Sequence, residues 1–275
     1  MTRPPGFGAN LARRVATAAV TLPLLLAALF AGPPLLGAGI AAAFVLVGQW
    51  EFFGLMRARG LTPFPVTGFV LLGVAFVEIA HPRLPASPWP IVALAILLAL
   101  LARRADHAVA VPSAALTLLG SSYLGALGGT IAALRLLPPV EDGAWRLVLL
   151  MAIIMVSDAA AFFVGVAAGR HPLAPTISPG KTIEGACGGL LGGVAAAAAV
   201  RALGLPTLPL AHALLLGLVV AALGIAGDLV ESLLKRWAGV KDSGAFFPGH
   251  GGMLDRLDSL LFGAPVLYYY FSLLR

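Results

Sequence analysis

Charge is what this sequence has least of. Only 11% of its 275 residues are Asp, Glu, Lys or Arg while 60% are hydrophobic, and the mean hydropathy is +0.97. A soluble domain cannot cover its surface with so few charges, so that class is excluded. Cysteine is nearly absent. The lone Cys187, set among small residues, rules out an internal disulfide and a cysteine-built metal centre, and reads as a packed helix residue. His250 has no second histidine at metal-site spacing. There is no internal repeat, no low-complexity linker and no Walker spacing of G-x-x-x-x-G-K.

What is present in quantity is apolar sequence in long runs. A bilayer core takes about 20 apolar residues per helix, and such runs fall at 15–31, 34–56, 64–80, 90–102, 109–137, 147–169, 182–204, 208–234 and 257–274. The expectation is an all-α, polytopic integral membrane protein of about nine transmembrane helices. The fourth run is short, and the fifth is long enough to tilt or break near Pro112. The first follows Arg13 and Arg14 like a signal peptide, but Leu29 stands where cleavage wants a small residue. It reads as a retained helix.

Orientation follows from the basic residues. With the N-terminus inside, thirteen of the 18 Lys and Arg face the cytoplasm: Arg3, Arg13, Arg14, Arg57, Arg59, Arg103, Arg104, Arg170, Lys181, Lys235, Arg236, Lys241 and Arg256. Arg83, Arg135, Arg146, Arg201 and Arg275 face the other side. That asymmetry predicts N-in, C-out. Positive loops beside anionic headgroups account for the net charge of +6, so no nucleic-acid partner is implied. Acids divide the chain differently. Asp158, Glu184, Asp228, Glu231, Asp242, Asp255 and Asp258 lie after residue 150, and only Glu51, Glu78, Asp106, Glu141 and Asp142 precede it. Residues 1–146 therefore read as a transmembrane scaffold, and 147–275 as the catalytic part of one membrane domain.

Three polar clusters stand out in the second part. In the first, Asp158 sits within an apolar helix, where a charged Asp costs about 3 kcal/mol at the centre. Such a group faces a polar cavity or reaches interfacial water near the helix end. It is followed by TISPGKTIEG, where Ser178-Pro179-Gly180 reads as a turn and Lys181-Thr182 enters the next helix. Exposed amides, a helix start and a lysine suit a phosphate; an ordinary capped helix start looks similar. The glycines of GACGGLLGG (185–193), like Gly120, Gly125 and Gly129, read as helix packing rather than phosphate contact.

The second cluster is GDLVESLLKR (227–236). Asp228, Glu231 and Lys235 fall at about 0°, 300° and 340° on one helix face. A Glu231–Lys235 pair alone is commonly helix support, but Asp228 lies deeper in the span, and two acids on one face near a membrane surface, Asp228 and Glu231, suit a divalent cation. The third is KDSGAFFPGHGGMLDRLDS (241–259), where Asp255 and Asp258 project from the first turn of the last helix behind a glycine-rich approach. Hard oxygen donors without cysteine suggest Mg²⁺, which takes one or two carboxylates plus substrate phosphates and water. His250 reads as a phosphate or carboxylate contact.

SLLKRWAGVKDSGAFFPGHGGMLDRLD (232–258) resembles the signature of the phosphatidate cytidylyltransferases, the CDP-diacylglycerol synthases. Ser232, Lys235, Arg236, Lys241, Asp242, Gly244, His250, Gly251, Gly252, Asp255, Arg256 and Asp258 stand at its fixed positions. GDLVES and ISPGKTIEG resemble two further blocks of that family, and together the blocks cover about 100 residues. Phe162, Val166 and Pro172 depart from its pattern near the Asp158 loop. The resemblance implies transfer of the cytidylyl group of CTP to phosphatidate, giving CDP-diacylglycerol and pyrophosphate, in a bacterial cytoplasmic (inner) membrane with the site facing the cytoplasm.

On that resemblance Asp228 and Asp255 are expected to be the principal Mg²⁺ ligands with Asp258 supporting, a second cation being allowed. Lys181, Lys235, Arg236, Lys241 and Arg256 are expected to bind phosphate, with hydroxyls from Ser178 and Thr182. Asp158 is expected to complete the nucleotide or metal site. A homodimer is suggested by the resemblance and by nothing in the composition. The rivals are a CTP-dependent kinase of lipid alcohols, a CDP-alcohol phosphotransferase, whose D-G-x-x-A-R pattern is missing, and a transporter, which would show paired broken helices in two related halves.

Overall fold

Proline and small polar residues mark where the helices start. The computed structural model describes residues 21, 23–81, 91–92, 94–96, 106–244 and 251–273. Residues 23–31 are helical and lead into α1 (Pro34–Ala58) and α2 (Pro65–Ala80), each with proline in its first turn, where the missing N–H has no helical partner to lose. Asp106 caps α3 (His107–Leu136) by accepting from the Ala108 N–H at 3.0 Å. A short 3₁₀ turn precedes α4 (Gly143–Ala168). Then come the strands β1 (Pro172–Ala174) and β2 (Ser178–Thr182), α5 (Ile183–Gly204), α6 (Leu210–Ala238) and α7 (Leu254–Leu273). The last turn of α6 carries Lys235 and Arg236 at the negative end of its dipole, and Gly239 closes it with φ 75°.

Among the described residues five helices are long and apolar enough to cross a membrane: α1, α3, α4 with its preceding turn, α5 and α6. At 16 residues α2 is shorter, and α7 is charged in its first turns. Of the nine expected spans, 15–31, 90–102 and, by one residue, 257–274 extend beyond the described residues. Leu35, Val66, Leu191 and Leu203 are each more than 70% exposed. Water would oppose such a surface and lipid tails do not. This is an integral membrane protein of helices.

The helical expectation holds with one addition, and two finer expectations need correcting. The strands β1 and β2 form an antiparallel hairpin with Pro172 opposite Thr182 and Ala174 opposite Ser178. Its turn falls at 175–177, not at Ser178-Pro179-Gly180, which lie in β2. The fifth run, long enough to tilt or break near Pro112, does not break there: α3 is continuous through it. Cys187 is exposed rather than packed. The packed face of α5 is taken by its glycines, since a Cβ at Gly189 would stand 3.0 Å from Ser157 Oγ and one at Gly185 2.8 Å from the Ala161 carbonyl. Gly125 and Gly129 similarly let α3 approach the backbone of α2. The packing expectation for these glycines holds.

The two larger clusters of the buried core are joined by α7. Leu254, Leu257 and Leu261 pack with Val45, Phe53, Met56 and Leu124 of α1 and α3. Two turns on, Ala264 and Leu267 pack with Leu149, Ile153, Ala197 and Val220 of α4, α5 and α6. The beginning of α7 is thus gripped by the N-terminal helices while its remainder is held by the C-terminal ones.

Candidate active site

Alternation of direction along the chain brings the ends of α1, α4 and α6 to the same side as the beginnings of α3, α5 and α7. The polar residues gather there. Helices α4 and α5, α5 and α6, and α6 and α7 pack as neighbours, and the β hairpin lies over the junction between α4 and α5. Glu184 secures it: one carboxylate oxygen accepts from the N–H groups of Arg170 and His171 at 3.0 and 3.3 Å, the other meets His171 Nδ1 at 2.6 Å. Arg236 Nε reaches the Ile177 carbonyl at 3.4 Å from the end of α6.

So held, β2 points Lys181 at α6, where its Nζ forms a close ion pair with Asp228 Oδ2. The other oxygen of Asp228 accepts from Ser232 Oγ at 3.3 Å. One turn later Glu231 is 3% exposed, and neither of its carboxylate oxygens has an aligned hydrogen-bond donor. Its nearest cation is Lys235 Nζ, 2.6 Å from Oε2 in a charge contact. Lys235 is shared, lying 2.5 Å from Asp255 Oδ1 on α7. Asp255 Oδ2 is enclosed by three donors: Gly252 N–H at 2.7 Å, Ser243 Oγ at 2.9 Å and Ser243 N–H at 3.2 Å. Asp258 is buried, and its Oδ1 accepts from the Ser259 N–H at 2.5 Å. Ser259 Oγ in turn bolts α7 to the Gly224 carbonyl of α6 at 3.0 Å.

Asp228, Glu231 and Asp258 each offer an oxygen within 4.8 Å of the others. Asp158, exposed on α4, feels the fields of Asp228, Lys181 and Arg256. Five carboxylates, at 158, 228, 231, 255 and 258, therefore meet the charges of Lys181, Lys235 and Arg256. Such an excess of negative charge in a partly dry site is costly without a cation. Three converging oxygens, one of them from the Glu231 carboxylate that has no aligned donor, fit a hard divalent ion such as Mg²⁺.

The sequence-derived residues divide accordingly. Asp158, Lys181, Asp228, Lys235, Asp255, Arg256 and Asp258 come together. Thr182 is engaged elsewhere, its hydroxyl oxygen accepting from the Gly185 N–H at 3.1 Å to cap α5. Ser178 is half-buried in β2, and Arg236 and Lys241 are exposed beside the site. His250 lies outside the described residues. The carboxylate triplet contains Glu231 in the place where Asp255 is expected; Asp255 stands across Lys235, caged by the loop. Glu231 joins Asp228 from the helix face that spacing points out, whereas Ser243 and Glu51 are site-region residues that spacing alone does not single out. Glu51, 7% exposed on α1, accepts from Leu254 N–H at 2.8 Å and Ser243 Oγ at 3.1 Å. The signal for it is the one that marks Asp158: an acid in an apolar helix.

Comparison with known proteins follows the same residues. The model of the cytidylyltransferase family matches residues 12–274. A phosphatidate cytidylyltransferase of Synechocystis sp. is 34% identical over 95% of this chain and 97% of its own length. One from Bacillus subtilis is 45% identical over 44% of this chain and 45% of its own length. The uncharacterized protein YnbB of Escherichia coli is 44% identical over 48% of this chain and 44% of its length. The chain thus spans less than half the length of the latter two relatives, and nearly all of the first. With a match across residues 12–274 that takes in the whole carboxylate cluster, the chain belongs to the cytidylyltransferase family.

Proposed function

We propose that this protein is a phosphatidate cytidylyltransferase: CTP and phosphatidate give CDP-diacylglycerol and pyrophosphate. The observation that carries the reading is the Asp228–Glu231–Asp258 triplet flanked by Lys181 and Lys235 at one end of apolar helices, in a chain of this family. An oxygen of the lipid phosphate attacks the α-phosphorus of CTP. A new P–O bond forms, the bond from that phosphorus to the bridging oxygen breaks, and pyrophosphate leaves with the electron pair. A phosphate monoester is mostly dianionic at neutral pH, so no base is needed to activate it. Two anions must meet, and the residues that offset their repulsion are Lys181, Lys235, Arg256 and, from the exposed rim, Arg236 and Lys241. Mg²⁺ would be held by Asp228, Glu231 and Asp258, with Asp255 beside it, and would neutralise charge on the triphosphate and leaving group. A second cation, a nucleotide contact from Asp158, the hydroxyls of Ser178 and Thr182, His250, and a homodimer remain part of the proposal.

Purified protein given CTP, Mg²⁺ and radiolabelled phosphatidate is expected to make a CDP-lipid and release pyrophosphate. Formation of a phosphorylated lipid alcohol with CDP, and no CDP-lipid, would replace this reading with the kinase.

Lys181 separates a helix-start role from a substrate role. Lys181→Gln keeps the strand and removes a charge-assisted contact of about 1.5–3 kcal/mol, so kcat/KM is expected to fall about 10- to 100-fold with folding intact. Varying CTP and phosphatidate separately shows which substrate it holds. Unchanged efficiency for both would take the hairpin out of the active site.

We place the protein in the bacterial inner membrane with about nine spans, N-terminus in the cytoplasm and C-terminus out, the active site facing the cytoplasm; the positive-inside asymmetry supports this. In a Cys187→Ser background, Lys241→Cys is expected to react with an impermeant maleimide only when the cytoplasmic face is opened. Reaction in intact cells would reverse the orientation.

A further inference from the structure

Glu51 is an anomaly of the N-terminal helices. It lies in a helix whose other buried residues are apolar or glycine apart from Gln49, it is 7% exposed, and it stands 203 residues before its partner Leu254. Burying a carboxylate is unfavourable unless it is hydrogen-bonded and its charge offset. Among the described residues no Lys or Arg forms an ion pair with it. Its compensation is local to α7: the Leu254 N–H donates at 2.8 Å, satisfying a free amide of the first turn and placing negative charge at the positive end of the helix dipole.

The second partner, Ser243, extends the arrangement to the active site. Its Oγ lies 3.1 Å from Glu51 Oε2 and 2.9 Å from Asp255 Oδ2. One hydroxyl hydrogen thus lies between two carboxylates, while the Ser243 N–H holds Asp255 independently at 3.2 Å. Shape agrees with bonding. A Cβ at Gly244 would stand 2.6 Å from Glu51 Cδ, and one at Gly252 2.8 Å from the same atom. Both glycines leave room for this carboxylate, one on each side of residues 245–250. An apolar side chain of similar volume would fill the space without the electrostatic penalty, and would leave Leu254 and Ser243 without an acceptor.

We infer that Glu51 is a positioning residue for nucleotidyl transfer: it clamps Ser243–Gly244 and Gly252–Leu254 onto α1 and so holds Asp255, and through Asp255 the Lys235 ammonium, in place. It touches no substrate. The inference rests on the reading of Asp255 and Lys235 as active-site groups.

The test uses the full-length protein in detergent with CTP, Mg²⁺ and phosphatidate. Misplacement of a catalytic group costs on the order of 10- to 100-fold, so Glu51→Gln is expected to lower kcat by that much, with KM for CTP within about twofold. Hydrogen exchange in peptides covering 241–256 should quicken while that of α3 and α5 stays unchanged. Glu51→Gln combined with Ser243→Ala should lose no more than the worse single variant, because both break one chain of contacts. An unchanged kcat in folded Glu51→Gln would overturn the inference. So would a loss that follows the fraction of unfolded protein, with exchange quickened throughout, since that is a stability role alone. Asp255→Asn is the control: if it retains full activity, the reading of the site fails, and the exchange of 241–256 still reports whether Glu51 clamps the loop.

Discussion

Asp228→Asn is expected to lower turnover by about 100-fold or more while the protein still inserts and purifies. The substitution keeps the shape of the side chain, and an amide oxygen can still accept from Ser232 Oγ, now 3.3 Å from the carboxylate. What changes is the side facing Lys181. An NH₂ group there opposes an ammonium, so two donors meet where an ion pair stood. The carboxylate triplet also loses one of its three charged oxygens, and with it affinity for a divalent cation. Stability should change little, because the side chains of Lys181 and Asp228 are 27% and 32% exposed, and ion pairs so open to solvent contribute about 0–1 kcal/mol. CDP-lipid formation at saturating CTP and Mg²⁺, beside a size-exclusion profile, checks both halves. Retention of more than about a tenth of wild-type turnover, roughly 1.4 kcal/mol of barrier, would remove Asp228 from the metal site.

How much of this was legible before folding depends on whether the cause was local. Membrane character is legible because lipid exposure acts on composition: runs such as 208–234 cannot be anything but buried or in a bilayer. The acids at 158, 228, 255 and 258 are legible because a carboxylate in an apolar helix needs a reason wherever the helix lies. The hairpin is not legible. Pro179 and Gly180 are poor strand residues, and β2 has no alternation of apolar and polar positions. It forms because Glu184 gathers the Arg170 and His171 amides and because Lys181 is drawn to α6. These partners are distant in sequence or separated by a turn.

Glu231, placed beside Asp228 on one helix face, is legible only in part, and Glu51 not at all, for a related reason. Glu231 is four residues before Lys235 and so has a sufficient local explanation as helix support. Only the packing of α7 against α6 shows that Lys235 is divided between Glu231 and Asp255. Glu51 lies in the half of the chain poor in acids, among helices that otherwise only pack. Its partners Ser243 and Leu254 become visible when α7 is seated against α1. Spacing along one helix finds the face; assigning the ligands requires the neighbouring helix.

That division of one ammonium between two carboxylates sets up the largest expected effect on stability. The side chains of Lys235, Glu231 and Asp255 are only 12%, 3% and 14% exposed. Lys235→Met keeps most of the packed stem and deletes the charge, leaving Glu231 without the one cation that pairs with it among the described residues and facing Asp255 and Asp258. Breaking a buried pair by removing one partner costs about 3–5 kcal/mol, so the variant is expected to melt well below the wild type in detergent and to lose activity. Lys235→Arg, which keeps the charge, should retain most of the stability while its planar head misplaces the donors proposed to face substrate. The double variant Lys235→Met with Glu231→Gln separates the two roles. Removing the orphaned charge together with its partner should recover a substantial part of the lost stability, because the penalty lies in the unpaired carboxylate rather than in the missing contact. It should recover no activity, since on the proposed reading both a phosphate-binding ammonium and a cation ligand are gone. Wild-type melting in Lys235→Met alone would mean that the carboxylates are already relieved by water or by a proton, and the charge excess assigned to this site would have to be given up.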